Sequence, residues 1–496
     1  ASRTRFKTTE RGTDMQYQST RDHALVVSSS EAILRGLTPD GGLFVPVSFP
    51  QADLEAWRSL DYPALAAAVL QLYLTDYDPA FLRTAAREAY GAAFGGKAGQ
   101  TVQVAPGLAA LELWHGPTCA FKDYALQLMP RLLVQAKKNL GRSETTRILV
   151  ATSGDTGKAA LAGYAGLDGI EIAVFYPNAG TSEIQRLQMV TQAGDNVAVY
   201  AVDGNFDDAQ SGVKRVFGDA EVAEALAGRG IRLSSANSIN WGRLAPQIVY
   251  YFYAYFRLAE QGAVAWGSPV DFCVPTGNFG DILAGYYAKR MGLPVGKLVC
   301  ASNQNNVLSD FIRTGTYDRR REFYKTTSPS MDILISSNLE RLLYHLCGDD
   351  TKVAGWMREL ALTGCYTVDA ETLAKLQENF GCGWASDAQA AEELCARYET
   401  DRYLCDPHTA VAFRVAAQAR GEAPMVVLST ASPFKFPRDV LAALKAVVPQ
   451  GDFAAMAALT AETGCAAPES LRCLESLPVR FTEVIAPAQI RDVALR

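Results

Sequence analysis

Two kinds of apolar pattern alternate along the chain from about residue 145 onward. Short unbroken apolar runs, such as RILVAT at 147–152 and DFCVP at 271–275, suit strands buried on both faces. Segments with apolar residues three and four apart follow them, at 158–167, from a Ser182 cap through Gln192, and at 281–291. Further strands are predicted at 172–176, 196–202, 297–302 and 425–430, with a late helix from about Pro437. Before residue 105 the periodicity is mostly helical, at 51–72 and 78–93, with short strand candidates at 25–27 and 42–47. Residues 332–421 read as largely helical and are expected to pack outside the sheets. The apolar run Ile248–Tyr255 is too short to cross a membrane and suits part of a buried helix.

Repeated strand–loop–helix units predict an α/β fold with two parallel or mostly parallel sheets covered by helices. The expected division is an N-terminal, mainly helical region at 15–105, a smaller α/β domain at 106–260 and a larger one at 261–496. The first fourteen residues are polar and aperiodic, so Met15 is expected to be the native start and residues 1–14 a foreign remnant.

Composition narrows the function classes. The chain is 49% hydrophobic and 20% charged, ordinary for a globular enzyme, and its net charge of −6 gives no case for nucleic-acid binding. Its ten cysteines form no CxxC pair and its four histidines lack zinc spacing. No metal site and no membrane partner are expected, and reduced thiols in a cytoplasmic setting are.

Three loops at predicted strand ends carry candidate chemistry. In Pro275-Thr276-Gly277-Asn278-Phe279-Gly280-Asp281, glycines let successive N–H groups point into one concavity at a helix start, which suits a phosphate. The same pattern also suits a plain tight turn, and Asp281 fits poorly beside a phosphate, so its carboxylate is expected to cap the helix or turn away. Thr152-Ser153-Gly154-Asp155-Thr156 offers N–H groups and hydroxyls at another helix start, suited to a carboxylate or to ordinary N-capping. In HGPTCAFKD at 115–123, Lys122 opens a helical pattern. There the macrodipole and apolar neighbours would depress its pKa, as a nucleophilic lysine requires, although a surface lysine fits the pattern as well.

Taken together, HGPTCAFKD, ATSGDTGKAAL, NSINWGRL at 237–244 and VPTGNFGDILAGYYAKRMG at 274–292 resemble the threonine synthase family. STRDHALVVSSSEAILRGLTPDGGLFVP at 19–46, DPHTAV at 406–411 and LSTASPFKFP at 428–437 extend the resemblance, in order, from Met15 to about residue 445. The resemblance implies pyridoxal-phosphate fold type II, with Lys122 holding the cofactor as a Schiff base. It implies that Gly277, Asn278, Phe279, Gly280 and Asp281 bind the cofactor phosphate, and that Thr430 faces the pyridine nitrogen. It places Thr152, Ser153, Gly154, Asp155 and Thr156 around the substrate carboxylate. Asn240 and Arg243 fall near the substrate phosphate, with Lys435 a further candidate and an ion pair the alternative for Arg243. His115 is as well explained by a structural role in the GPT turn. The implied substrate is O-phospho-L-homoserine, converted with water to L-threonine and phosphate by a monomer or homodimer. A related phospho-lyase or dehydratase releasing 2-oxobutyrate shares the core loops, and the SINW segment favours the synthase. Closure of two domains around the cofactor is expected.

Overall fold

The computed structural model describes residues 14–178 and 181–496. The foreign-remnant expectation for the first residues falls outside the described residues up to residue 13.

Two mostly parallel sheets form the frame. The larger runs in the order 380–384, 295–302, 270–275, 425–429, 108–112, 100–105, parallel throughout except for the last pair. The smaller, wholly parallel sheet has the order 484–485, 197–202, 170–177, 145–151, 231–234. The expected domain boundaries are corrected by this pairing. Strand Leu108–Glu112, assigned from sequence to the smaller domain, pairs with Met425–Ser429 in the larger sheet. Strand Val484–Ile485 returns from the chain's end to edge the smaller sheet. The insertion expected to be helical also contributes a strand, Phe380–Trp384, to the large sheet.

The N-terminal region packs onto this frame through an aromatic hub. Trp241 is fully buried, with ring centroids of Tyr17, Tyr73 and Tyr287 at 5.3, 5.3 and 5.2 Å. Each such edge-to-face or tilted pair contributes roughly 0.5–1.5 kcal/mol beyond area burial. The four rings come from a strand, an N-terminal helix, the long helix Trp241–Glu260 and the helix Gly280–Arg290, so one cluster fixes four elements. A polar lock adds to it. Buried Arg341 donates to Phe44 O at 2.9 Å, and Glu340 accepts from Thr20 at 2.5 Å and Arg21 at 2.7 Å.

One close approach sets the relation between the two helices that matter most below. Helix Asp155–Tyr164 crosses the short helix Lys122–Leu126 at Gly163, where a Cβ would sit 1.8 Å from Leu126 O. Only glycine allows that contact. Gly163→Ala is therefore expected to destabilise the fold by about 1–3 kcal/mol, read from the chemical denaturation midpoint. Gly355 lies in exposed helix Asp350–Thr363 with nothing near its would-be Cβ. Gly355→Ala should stabilise by roughly 0.5–1 kcal/mol. Equal effects at the two positions would refute the close-packing argument.

Candidate active site

Strand Leu108–Glu112 leaves the large sheet through the GPT turn. Asp123 closes that turn, accepting from Thr118 N at 2.9 Å and Thr118 Oγ1 at 2.7 Å. Burial pushes the Asp123 carboxyl up to about 6 against those two donors. The next residues return to the neighbouring strand end: Phe121 N donates to Thr430 O at 2.8 Å, and Ala120 bridges Ala431. Lys122 is thereby tied to the strand that carries Thr430. Its side chain is 12% exposed. Burial pushes its amine down to about 8, with Asp155 opposing the shift and Lys435 and Arg243 adding to it. The shift raises the free-amine fraction near neutral pH, the direction that imine chemistry needs. His115 stands apart, its ring 4.1 Å from Trp114 and its Nε2 2.7 Å from Glu112, in a structural role.

Two arrays of backbone donors face Lys122 across one cavity. The N–H groups of Gly277, Asn278, Phe279 and Gly280 meet no acceptor among the described residues. Phe279 holds a left-handed φ of 64° and the helix it precedes has no side-chain cap. Gly277 packs so tightly that a Cβ would lie 2.7 Å from Ser330 O. Successive donors turned into one concavity at a helix start form an anion cradle. Asp281 lines the same cavity and leaves its Oδ2 without a hydrogen-bond partner among the described residues. Its Oδ1 turns away to Tyr250 and Tyr251, at 2.6 and 3.1 Å, and burial pushes the carboxyl up to about 7. The second array is built on strand Thr145–Ala151. Thr152 Oγ1 accepts from Gly154 N and Gly157 N, both at 3.0 Å, which shapes the loop rather than offering a hydroxyl to a ligand. The N–H groups of Ser153, Asp155 and Thr156 find no acceptor among the described residues.

Side chains sort differently from their sequence expectation. Asp155 is not an anion-binding side chain; its carboxylate lies 2.5 Å from Lys435 and 3.9 Å from Lys122. Burial alone would raise it, but Lys435 and then Lys122 hold it well below the usual carboxylate range. Lys435 is thereby spent inside the protein, also donating to Thr118 O at 3.1 Å. Asn240 is an N-cap: its Oδ1 accepts from Gly242 N at 2.8 Å and its Nδ2 donates to Ile33 O at 2.9 Å. Both ends of its amide are used, and it does not line the cavity. Arg243 does line it. It is buried, donates to Ala236 O at 2.6 Å, leaves Nε without a partner and pairs with no carboxylate among the described residues. Burial pushes its guanidinium down to about 10.

The cavity holds about 510 Å³ and is lined by Lys122, both donor arrays, Arg243 and Thr430. Sequence reasoning missed one wall, the segment 323–333. Asp332 gathers that segment, accepting from Asn303 and Asn305 at 2.8 and 3.0 Å and from Thr326. The dense polar turn formers at 326–332 were the available signal. His408 was quoted only within a motif. It lines the cavity and accepts from Ser330 N at 3.1 Å on Nε2, with Nδ1 2.6 Å from Asp406. The tautomer protonated on Nδ1 satisfies both contacts.

The donor set fits pyridoxal phosphate: a buried low-pKa lysine, a cradle of backbone N–H groups suited to a phosphate and a hydroxyl at the adjacent strand end. Family comparison agrees. Residues 16–90 match the threonine synthase N terminus model, 102–430 the pyridoxal-phosphate dependent enzyme model and 409–493 the threonine synthase C-terminal model. Human threonine synthase-like 1 is 41% identical over 432 residues, which is 84% of this chain and 58% of that protein. The chain thus spans little more than half the length of that relative. Threonine synthase of Pseudomonas aeruginosa is 41% identical, covering 86% of this chain and 90% of that one. A crystal structure of PLP-bound threonine synthase from Brucella melitensis superposes with TM-score 0.88 and 40% identity, covering 97% of this chain and 99% of that chain. The chain belongs to the threonine synthase family of pyridoxal-phosphate-dependent, fold type II enzymes.

Proposed function

We propose that this chain converts O-phospho-L-homoserine and water to L-threonine and inorganic phosphate. The observation that carries the proposal is Arg243, a buried cation that pairs with no carboxylate among the described residues and lies in the same cavity as Lys122. A buried unpaired charge is costly unless a ligand completes it. Two further anion-binding elements share the cavity, so it suits a cofactor phosphate together with a substrate that is anionic at both ends.

Residues take roles on that basis. The N–H groups of Gly277 to Gly280 hold the cofactor phosphate, and Asp281 stays outside that contact. Thr430 offers a neutral hydroxyl to the cofactor ring. The N–H groups of Ser153, Asp155 and Thr156 take the substrate carboxylate. Arg243 takes the substrate phosphate, a role Lys435 is too deeply paired to fill. Lys122 carries the cofactor at rest; its amine, once free, moves protons at the substrate carbons. Bound here, pyridoxal phosphate supplies the electron sink for the carbanion. Phe121, Phe206, Phe323 and Met331 give apolar walls that limit water. The chain's ten unpaired cysteines suit a reducing, cytoplasmic compartment, and the same reading has the enzyme work as a monomer or homodimer.

One assay decides between the synthase and a phospho-lyase: phosphate, threonine and 2-oxobutyrate measured together from O-phospho-L-homoserine. Equal phosphate and threonine are expected, with turnover reduced at least about 10²–10⁴-fold in Lys122→Ala. Phosphate with 2-oxobutyrate instead would move the chain to the lyase reaction. Arg243→Met should raise KM for O-phospho-L-homoserine about 10–100-fold, the size of a lost charged hydrogen bond. Affinity for threonine, which lacks the phosphate, should hold. Thermal stability should not fall, because an unpaired buried charge is removed. Equal weakening toward both ligands would take Arg243 out of phosphate binding.

A further inference from the structure

Asp155 carries one negative charge and faces two lysines. Its Oδ1 lies 2.5 Å from Lys435 Nζ and accepts from Gln185 Nε2 at 3.0 Å. Its Oδ2 faces Lys122 Nζ at 3.9 Å, beyond hydrogen-bond length. The carboxylate and Lys435 are almost wholly out of water, at 4% and 0% side-chain exposure. Lys435 is not among the residues that line the cavity holding Lys122. The lysine furthest from the chemistry thus has the tight contact, and the lysine that does chemistry has the loose one.

We propose that Lys435 and Asp155 are a positioning pair for Lys122. Lys435 fixes the carboxylate and offsets most of its charge, leaving Oδ2 as a weak, directed partner for the Lys122 amine. This rests on the functional proposal above, since it requires Lys122 to be the reacting amine. The electrostatic logic has two sides. Were Lys435 absent, the whole carboxylate would pair with Lys122 and keep it an ammonium, unable to attack a carbonyl or remove a proton. Were Asp155 absent, the cations Lys435 and Arg243 would outweigh the remaining carboxyl, Asp281, and the protonated form of Lys122 would lose its nearest partner. With both present, Lys122 passes between amine and ammonium near neutral pH, as a group that removes and returns protons must.

Four charged or titratable groups bear on Lys122, each from a different element. Asp155 comes from helix Asp155–Tyr164, Lys435 from the turn Pro433–Lys435, Arg243 from helix Trp241–Glu260 and Asp281 from helix Gly280–Arg290. Asp281, pushed up by burial, titrates in the same range. The test therefore compares variants in which Arg243 and Asp281 are unchanged.

The measurement is covalent attachment of pyridoxal phosphate to the cofactor-free full chain as a function of pH, trapped by borohydride and located by peptide mass spectrometry. Attachment at Lys122 should rise through a midpoint near pH 8 in the wild type. Lys435→Met should move that midpoint up by about one unit or more, and Asp155→Asn should move it down by a similar amount. Lys435→Gln keeps a hydrogen-bond donor while removing the charge; it carries the test if the methionine variant does not fold, and its midpoint should also rise. Opposite displacements from two changes to one ion pair are beyond a packing defect, which lowers the yield without separating the midpoints. Midpoints within experimental scatter of the wild type in the folded Lys435 variants would overturn the positioning role. Attachment to other lysines only, in the wild type, would instead overturn the assignment of Lys122 and the functional proposal with it.

Discussion

The active cleft depends on a charge that is buried between its two halves. Asp155 begins a helix on the smaller sheet, and Lys435 follows a strand of the larger one. Their contact at 2.5 Å crosses the floor of the cleft. Taking two charges out of water is unfavourable unless their other hydrogen-bonding sites are filled. Here Gln185 supplies a second donor to the carboxylate and Thr118 O a second acceptor for the ammonium. Gln188 donates to the same Thr118 O at 3.2 Å, so the floor is a small network rather than one bond. Since Thr118 also orders Asp123, the network reaches the turn that delivers Lys122.

The charge balance of the cavity follows from the same arrangement. With Asp155 answered by Lys435, and Asp281 hydrogen-bonded through Oδ1 to two tyrosines and pushed up to about 7 by burial, the negative charge that these two carboxyls bring to the ligand space is reduced. Arg243 and two arrays of N–H groups do present positive potential. A sequence count would record Lys122, Lys435 and Arg243 against Asp155 and Asp281, nearly neutral. The geometry converts that near-neutral set into a site for anions, because pairing consumes the acids and one base and leaves the other donors open.

What could be read from the sequence was what the backbone does locally. Buried parallel strands such as Thr145–Ala151 and Val270–Pro275 stand out as apolar runs, and the Gly/Ser/Thr loops after them mark strand ends where ligands bind. Strand Phe380–Trp384 did not stand out, because FGCGW has two glycines and no β-branched residue; pairing with Val295–Ser302 makes it a strand. Strand Leu108–Glu112 was given to the wrong sheet because strand order is a long-range property, settled by its pairing with a strand some 300 residues away, Met425–Ser429. Side-chain roles depend on long-range contacts in the same way. Asn240, placed near the substrate phosphate by the resemblance, is an N-cap whose amide also donates to Ile33 O, far off in the chain. Lys435 and Asp155 each look like ligand-binding groups until the fold puts them together.

The Asp155–Lys435 ion pair, a clasp between the two sheets, also bears on the closure expected of the two domains. The lining of the cleft includes Asn205, Phe206 and Gln210 from the smaller domain and Phe323 and Lys325 from the larger one. Phe323 is 55% exposed and carries little packing to hold it. The floor is held by a buried ion pair and its hydrogen bonds, which lose most when separated. Motion that preserves the floor and moves the rim is a rotation about the clasp, so the rims approach while Lys122, Asp155 and Lys435 keep their distances. Such a motion excludes water from the ligand space without disturbing the proton balance of Lys122. A hinge at the rim would do the reverse, opening the floor and exposing the ion pair to solvent at each turnover. Under the proposed roles, a charge placed between the two sheets would let closure and acid–base chemistry operate independently.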